Sequence, residues 1–174
     1  MKHVIVEGPD GSGKSTLVKA LREIGMKPAP RASNSIQGPV ADLMDWVIRD
    51  QQDMIARWDK HVYDRHPLIS EPIYGRIVRD NPAEGFNNPS WMVSRIAHLY
   101  VSTLVVWCMP PLYAVEENAN LTADNQMAGV VDHIEDLYME YEKVKSDWAG
   151  PAITYDYTIQ NADNMVSLIK DLSR

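Results

Sequence analysis

The run Gly8-Pro9-Asp10-Gly11-Ser12-Gly13-Lys14-Ser15 fills the pattern G-x-x-x-x-G-K-[ST], and its flanks give it meaning. His3-Val4-Ile5-Val6-Glu7 precedes it, a β-branched run that reads as a buried strand. Thr16-Leu17-Val18-Lys19-Ala20-Leu21 follows, a set of good helix formers. Glycines let such a loop turn tightly, so that successive N–H groups converge on one anion. The helix that starts at the loop adds its positive dipole end. Lys14 is a compact cation for outer phosphates, and the Ser15 hydroxyl suits Mg²⁺. Gly8, Gly11, Ser12, Gly13, Lys14, Ser15 and Thr16 are therefore the candidate phosphate cradle.

The rest of the chain alternates in the same way. Strands are expected at 3–7, 60–63, 102–109 and 152–155. Helices are expected at 14–24, 40–58, 67–79, 89–99, 111–119, 128–147 and 162–172. A loop rich in Pro, Ser and Asn runs to Pro39, with a short strand segment before Arg31, and 121–127 is polar and loop-like. Strands alternating with helices predict an α/β fold in three layers, αβα, with a central parallel sheet of about five strands. Ligands in such sheets sit beyond the carboxyl ends of the strands. Asp10, Asp64 and Met109 lie just past three of those ends.

Composition narrows the partners. The chain has 174 residues, enough for one domain spanning 1–174 with a real core. Its net charge of −7 argues against a broad electrostatic grip on nucleic acid, though one local basic cleft remains compatible with it. Cys108 is the only cysteine, which excludes an internal disulfide and a cysteine-based metal site; it reads as a small core residue. His3, His61, His98 and His133 lack ligand spacing. No apolar stretch reaches membrane-span length and no signal peptide is visible, so a cytoplasmic protein is expected.

A second constellation ends the strand at 60–63. Asp64 can hold Mg²⁺ through water, and Arg65 can fork onto a phosphate. A salt bridge that merely caps the strand end is the structural alternative.

Together these motifs resemble the thymidylate kinase family of P-loop nucleoside monophosphate kinases, with a related arrangement in deoxynucleoside kinases. The family opens with Glu-Gly-x-Asp-x-x-Gly-Lys-Ser/Thr, matched by Glu7 to Ser15. Its second signature, Asp-Arg-Tyr/Phe followed by Ser and an aromatic, is matched by Asp64-Arg65-His66, Ser70 and Tyr74. The order of elements is similar over nearly the whole length. The resemblance implies a P-loop kinase fold using ATP and Mg²⁺, with Lys14, Asp10, Asp64 and Arg65 as the catalytic set. By position, Lys14 bridges the donor phosphates and Ser15 ligates the metal, with Asp64 supporting it. Asp10 meets the acceptor sugar or phosphate surroundings, and Arg65 holds the acceptor phosphate. Arg31, Ser70, Tyr74 and Arg95 complete the implied acceptor side. Homodimers are common in the family.

On the helix at 40–58, Leu43, Met44, Val47, Gln51, Met54, Ile55 and Trp58 share one arc, and Trp46 lies off it near Arg49. The family uses an aromatic and an arginine there to stack on and read a pyrimidine, which makes Trp46 and Arg49 candidates. Packing against a helix or a partner is the alternative for Trp46. His66 replaces the family's Tyr or Phe.

The chain also departs from the family. Phosphoryl transfer spreads negative charge over equatorial oxygens, and an extra arginine usually offsets it. Gly11 stands where some members carry it. The lid-like segment at about 116–128 has no Arg or Lys over Glu116–Met127. Arg57, Arg76, Arg79 and Arg95 are the substitutes considered. The leading expectation is ATP- and Mg²⁺-dependent phosphoryl transfer to a (deoxy)nucleoside monophosphate, pyrimidine favoured. One alternative acceptor is a nucleoside, a modified nucleotide, or a base or end hydroxyl in DNA. The other alternative is a nucleotide-binding module without catalysis.

Overall fold

The computed structural model describes residues 3–34, 38–56 and 59–172. Every residue of β1 (His3–Glu7) is buried, as a strand covered on both faces must be. It lies at the centre of a five-stranded parallel sheet. Its neighbours are β5 (His61–Asp64) on one side and β6 (Thr103–Cys108) on the other; β2 (Lys27–Pro28) and β7 (Ala152–Tyr155) form the edges. Register pairs Val6 with Asp64 and Glu7 with Trp107, so the loops that follow these strands emerge at one common edge.

Alternation along the strands sorts the core into two halves. Val4, Val6, Leu104 and Val106 face α1 (Lys14–Glu23) and α7 (Ala162–Leu172), where Leu17, Leu21, Met165 and Ile169 meet them. Ile5, Tyr63, Val105 and Trp107 face the other way. Against them pack α2 (Leu43–Ala56), α3 (Pro67–Ile77), α4 (Pro89–Ser102) and α6 (Ile134–Asp147). The expected three-layer αβα arrangement is the observed one. Cys108 is buried in the sheet, where burial pushes its thiol up to about 12 and leaves it unreactive.

The differences from expectation are local. The second helix starts at Leu43 rather than 40, and residues 57–58, with Arg57 and Trp58, lie outside the described ones. Leu43, Val47, Gln51 and Met54 are buried as the arc requires, but Ile55 is 70% exposed. The helix expected from 128 begins at Ile134, because Gly129 takes φ +85° and residues 128–133 form turns. The loop before Pro39 holds a short antiparallel pair, β3 (Ser33–Asn34) with β4 (Gly38–Pro39). After β6, α5 (Leu112–Leu121) runs back along the phosphate loop. Among the described residues no helix is long and apolar enough to cross a membrane.

Leu137 of α6 is fully buried and helps seat that helix against α3 and the sheet. Leu137→Ala is expected to cost about 2–5 kcal/mol by lost transfer energy plus cavity, read as a lower midpoint in urea unfolding at unchanged slope.

Candidate active site

The phosphate loop is shaped by close neighbours. Gly11 has φ +78°, and a Cβ on it would lie 2.4 Å from the Val115 carbonyl oxygen and 2.8 Å from the Ala119 nitrogen. The helix α5 thus closes on the loop at the position where the resemblance leads one to expect an arginine. Gly13, φ +83°, leaves room for the Tyr157 ring, 2.7 Å from where its Cβ would be. Lys14 is buried and curls back to donate to the Pro9 carbonyl and to Ser12 Oγ at 3.3 Å. Burial and the Arg65 guanidinium bring its ammonium down to about 8, against the pull of Asp10 and Asp64. A buried cation with only neutral acceptors in hydrogen-bond reach, inside a cradle that side chains would fill, suits a polyphosphate.

The opposite wall is the turn from β5 to α3. Arg65 has φ +67°, a left-handed conformation that costs a non-glycine residue about 1–2 kcal/mol. Residues 6 and 7 hold it: Arg65 N–H donates to the Val6 carbonyl at 3.0 Å, and His66 N–H donates to Glu7 Oε1 at 2.6 Å. The turn carries the guanidinium to Asp10, 3.0 Å away, and lets it donate to Tyr74 Oη at 2.7 Å. Tyr74 in turn donates to Asp10 Oδ2 at 2.6 Å. Burial pushes Asp10 up, but Arg65, Lys14 and the Tyr74 hydroxyl outweigh it and hold the carboxyl well below the usual range. Glu7 is fully buried and also accepts from Tyr141 Oη at 3.1 Å. Burial dominates there, raising it to about 7 despite the His66 amide, Arg65 and Lys14.

Between loop and turn lies a cleft of about 500 Å³. Asp10, Lys14, Ser15, Thr16, Asp64, Arg65 and Ser70 all line it, as does Arg31, which reaches Asp64 at 3.2 Å. A smaller recess of about 60 Å³ continues past Asp10 and Arg65 to Tyr74. The phosphate loop, the Asp64-Arg65 pair, Arg31, Ser70 and Tyr74 therefore share one site.

Three candidates lie elsewhere. Trp46 packs edge-on to the His66 ring, 5.8 Å between centroids, and is part of the core wall. Arg49 is exposed and donates to the Asp45 carbonyl. Arg95 joins α4 to α2, exchanging hydrogen bonds with Gln51. Of the substitute arginines among the described residues, Arg76 pairs with Glu140 on the surface, and Arg79 reaches the recess. His66 is buried and caps α3, its Nδ1 accepting from Leu68 N–H, as its position before Pro67 suggests.

Other lining residues lie outside the individual site candidates named from the sequence. Glu71 is buried at the recess, where one oxygen accepts from Arg79 and from Ala83 N–H. Asn118, Thr122, Asn125 and Gln126 line the cleft opposite the acids, so the lid-like segment presents amides and a hydroxyl. Asn118 donates to the Gly11 carbonyl and to Tyr157 Oη, tying this segment to the loop.

No protein-family model matches the chain, and no curated protein matches it in sequence. Solved structures do. The YorR protein of Bacillus subtilis, in complex with phosphorylated GDP, aligns with TM-score 0.71 at 16% identity, over 98% of this chain and 94% of that one. The two chains share this α/β fold with its five-stranded parallel sheet. The deoxyadenosine kinase of M. mycoides with bound dATP aligns with TM-score 0.59 at 14% identity over the full length of both chains. Shikimate kinase of Acinetobacter baumannii with shikimate aligns at 0.56 and 13% identity, over 99% of this chain and 92% of that one.

Two outcomes follow from this geometry. Gly11→Arg, the change that would restore an arginine to the loop, is expected to weaken binding of ATP about tenfold or more, because α5 fills that space; calorimetric titration measures it. The raised Glu7 value means the folded protein holds this proton more tightly than the unfolded chain does. The stabilisation it gives is full below pH 4.5 and lost as pH rises through about 7. Between those limits, wild type is expected to lose on the order of 2–3 kcal/mol relative to Glu7→Gln, followed by denaturant unfolding at several pH values.

Proposed function

We propose that the chain is a kinase that uses ATP and Mg²⁺ to phosphorylate a (deoxy)nucleoside monophosphate, with a pyrimidine such as dTMP favoured. The observation that carries this reading is the cleft itself, with a phosphate cradle at one end and Arg65 at the other. Two phosphorylated ligands are brought end to end only where both walls offer cations.

In this reading the acceptor phosphate oxygen attacks the donor γ-phosphorus, and the bond to the β–γ bridging oxygen breaks with its electron pair leaving on the diphosphate. Lys14 uncurls from the Pro9 carbonyl and neutralises the β- and γ-oxygens. Arg65 holds the acceptor phosphate in line, steadied by Asp10 and Tyr74. Arg31 moves from Asp64 onto the acceptor or transferred phosphoryl group. Mg²⁺, when bound, offsets phosphate charge, with Ser15 and Asp64 as its protein oxygens. We read 1–174 as one domain, cytoplasmic, with 116–128 as its lid and homodimer formation by analogy with the family.

A second reading keeps the donor loop and changes the acceptor to a hydroxyl of a nucleoside, a modified nucleotide or DNA. The deoxyadenosine kinase and shikimate kinase likenesses support it, and the net charge of −7 argues against the DNA case.

Transfer from γ-labelled ATP with Mg²⁺, against nucleosides, nucleoside monophosphates and single-stranded DNA, tests both. The expected result is label in a deoxynucleoside diphosphate, reduced roughly 100-fold or more by Lys14→Ala. Label only in nucleosides or DNA moves the acceptor. ATP binding without any transfer would leave a non-catalytic nucleotide module.

A further inference from the structure

The pairing of β1 with β5 stops at Val6 and Asp64, because Gly8 turns the chain away with φ +147°. The Glu7 backbone remains on the other side, in register with Trp107 of β6. Past Asp64, the next two amides of the β5–α3 turn need acceptors. Val6 carbonyl takes the first and the Glu7 carboxylate takes the second, at 3.0 and 2.6 Å. The side chain thus continues a ladder that the backbone abandons, and it does so at a turn whose first residue, Arg65, is held left-handed.

We propose that Glu7 is a positioning residue whose carboxylate keeps the Arg65 turn left-handed and so aims the guanidinium at Asp10 and into the cleft. The role of that guanidinium toward an acceptor phosphate rests on the function proposed above; the conformational claim does not. The His66 amide is the handle. On its far side His66 is fixed to α3, its ring accepting from Leu68 N–H and its carbonyl accepting from Ser70 Oγ. Without Glu7 the His66 amide loses this acceptor. The second carboxylate oxygen is held by Tyr141 Oη of α6, so Glu7 cannot swing away to follow a relaxing turn. Phosphate loop, turn and α6 then keep one spacing, fixed by one side chain that borders the cleft on neither wall.

Three substitutions test this by crystal structure together with calorimetric binding of dTMP and of a non-hydrolysable ATP analogue with Mg²⁺. Glu7→Gln keeps an oxygen for His66 N–H and an amide for the Tyr141 hydroxyl, and is expected to keep Arg65 at positive φ. Glu7→Leu removes both acceptors, and Glu7→Asp withdraws them by one methylene. Both are expected to let φ of Arg65 leave the left-handed region and to part Arg65 from Asp10. They should weaken dTMP about tenfold or more while changing the ATP analogue less than about threefold, a selectivity that general loss of stability would not produce. Should Glu7→Leu fail to fold, Glu7→Asp decides. A folded Leu or Asp variant with Arg65 still left-handed and still on Asp10 overturns the proposal. Wild-type protein that neither binds dTMP nor transfers phosphate overturns the kinase reading instead, and the Arg65 conformation still decides the role of Glu7.

Discussion

Lys14 and Arg65 are two cations in one poorly solvated site, and each makes the other's charge harder to hold. The effect is visible on Lys14, whose ammonium burial and Arg65 bring down to about 8. Asp10 is what makes the pair tolerable. It lies on the loop between them, ion-paired to Arg65 at 3.0 Å and accepting from Tyr74 at 2.6 Å. Removing Asp10 would leave a half-buried guanidinium short of its partner, an arrangement that costs stability. The loop, the turn and the start of α3 are therefore joined by charge balance as well as by packing. Glu7 adds a second acid beneath them, and its raised value of about 7 shows how much burial opposes its charge even with both cations near.

What was legible in the sequence was legible because it is local. The phosphate loop needs only its own glycines, its lysine and the strand and helix on either side. All seven of its candidate residues follow from one short pattern. The Asp64-Arg65 pair was readable because topology places strand ends together. The helix arc on α2 correctly buried Leu43, Val47 and Met54, yet missed Ile55, since periodicity names a face and not where that face stops being covered. Trp46 illustrates the same limit. Its place off the arc left stacking on a base and packing against a neighbour both open, and the structure shows it against the His66 ring, a neighbour contributed by a turn twenty residues on. Arg95 meets Gln51 across two helices, a contact that spacing along one helix does not encode. Glu71 was hidden differently. It follows Leu68-Ile69-Ser70 on α3, and only the fold brings Arg79 and the Ala83 amide to it.

The arginine-poor donor side has a steric cause as well as a compositional one. A family-like arginine at position 11 would need a Cβ where the Val115 carbonyl already lies. The same close approach lets Asn118 reach the Gly11 carbonyl and Tyr157, so the segment is hydrogen-bonded to the loop it would otherwise have to cover with charge. Neutral amides still donate to phosphate oxygens, but they do not offset net charge, and a developing charge of the phosphoryl-transfer kind favours cations. Lys14, Arg65 and Arg31 are the cations that line the main cleft among the described residues. Lys14 is buried in the cradle, and Arg65 is held by Asp10 and Tyr74. Arg31 is 70% exposed and, among the described residues, pairs with Asp64. A metal drawn to Asp64 would weaken that contact by competing for the carboxylate. In the kinase reading proposed above, Arg31 is then the cleft cation best placed to supply the charge that the 116–128 segment lacks.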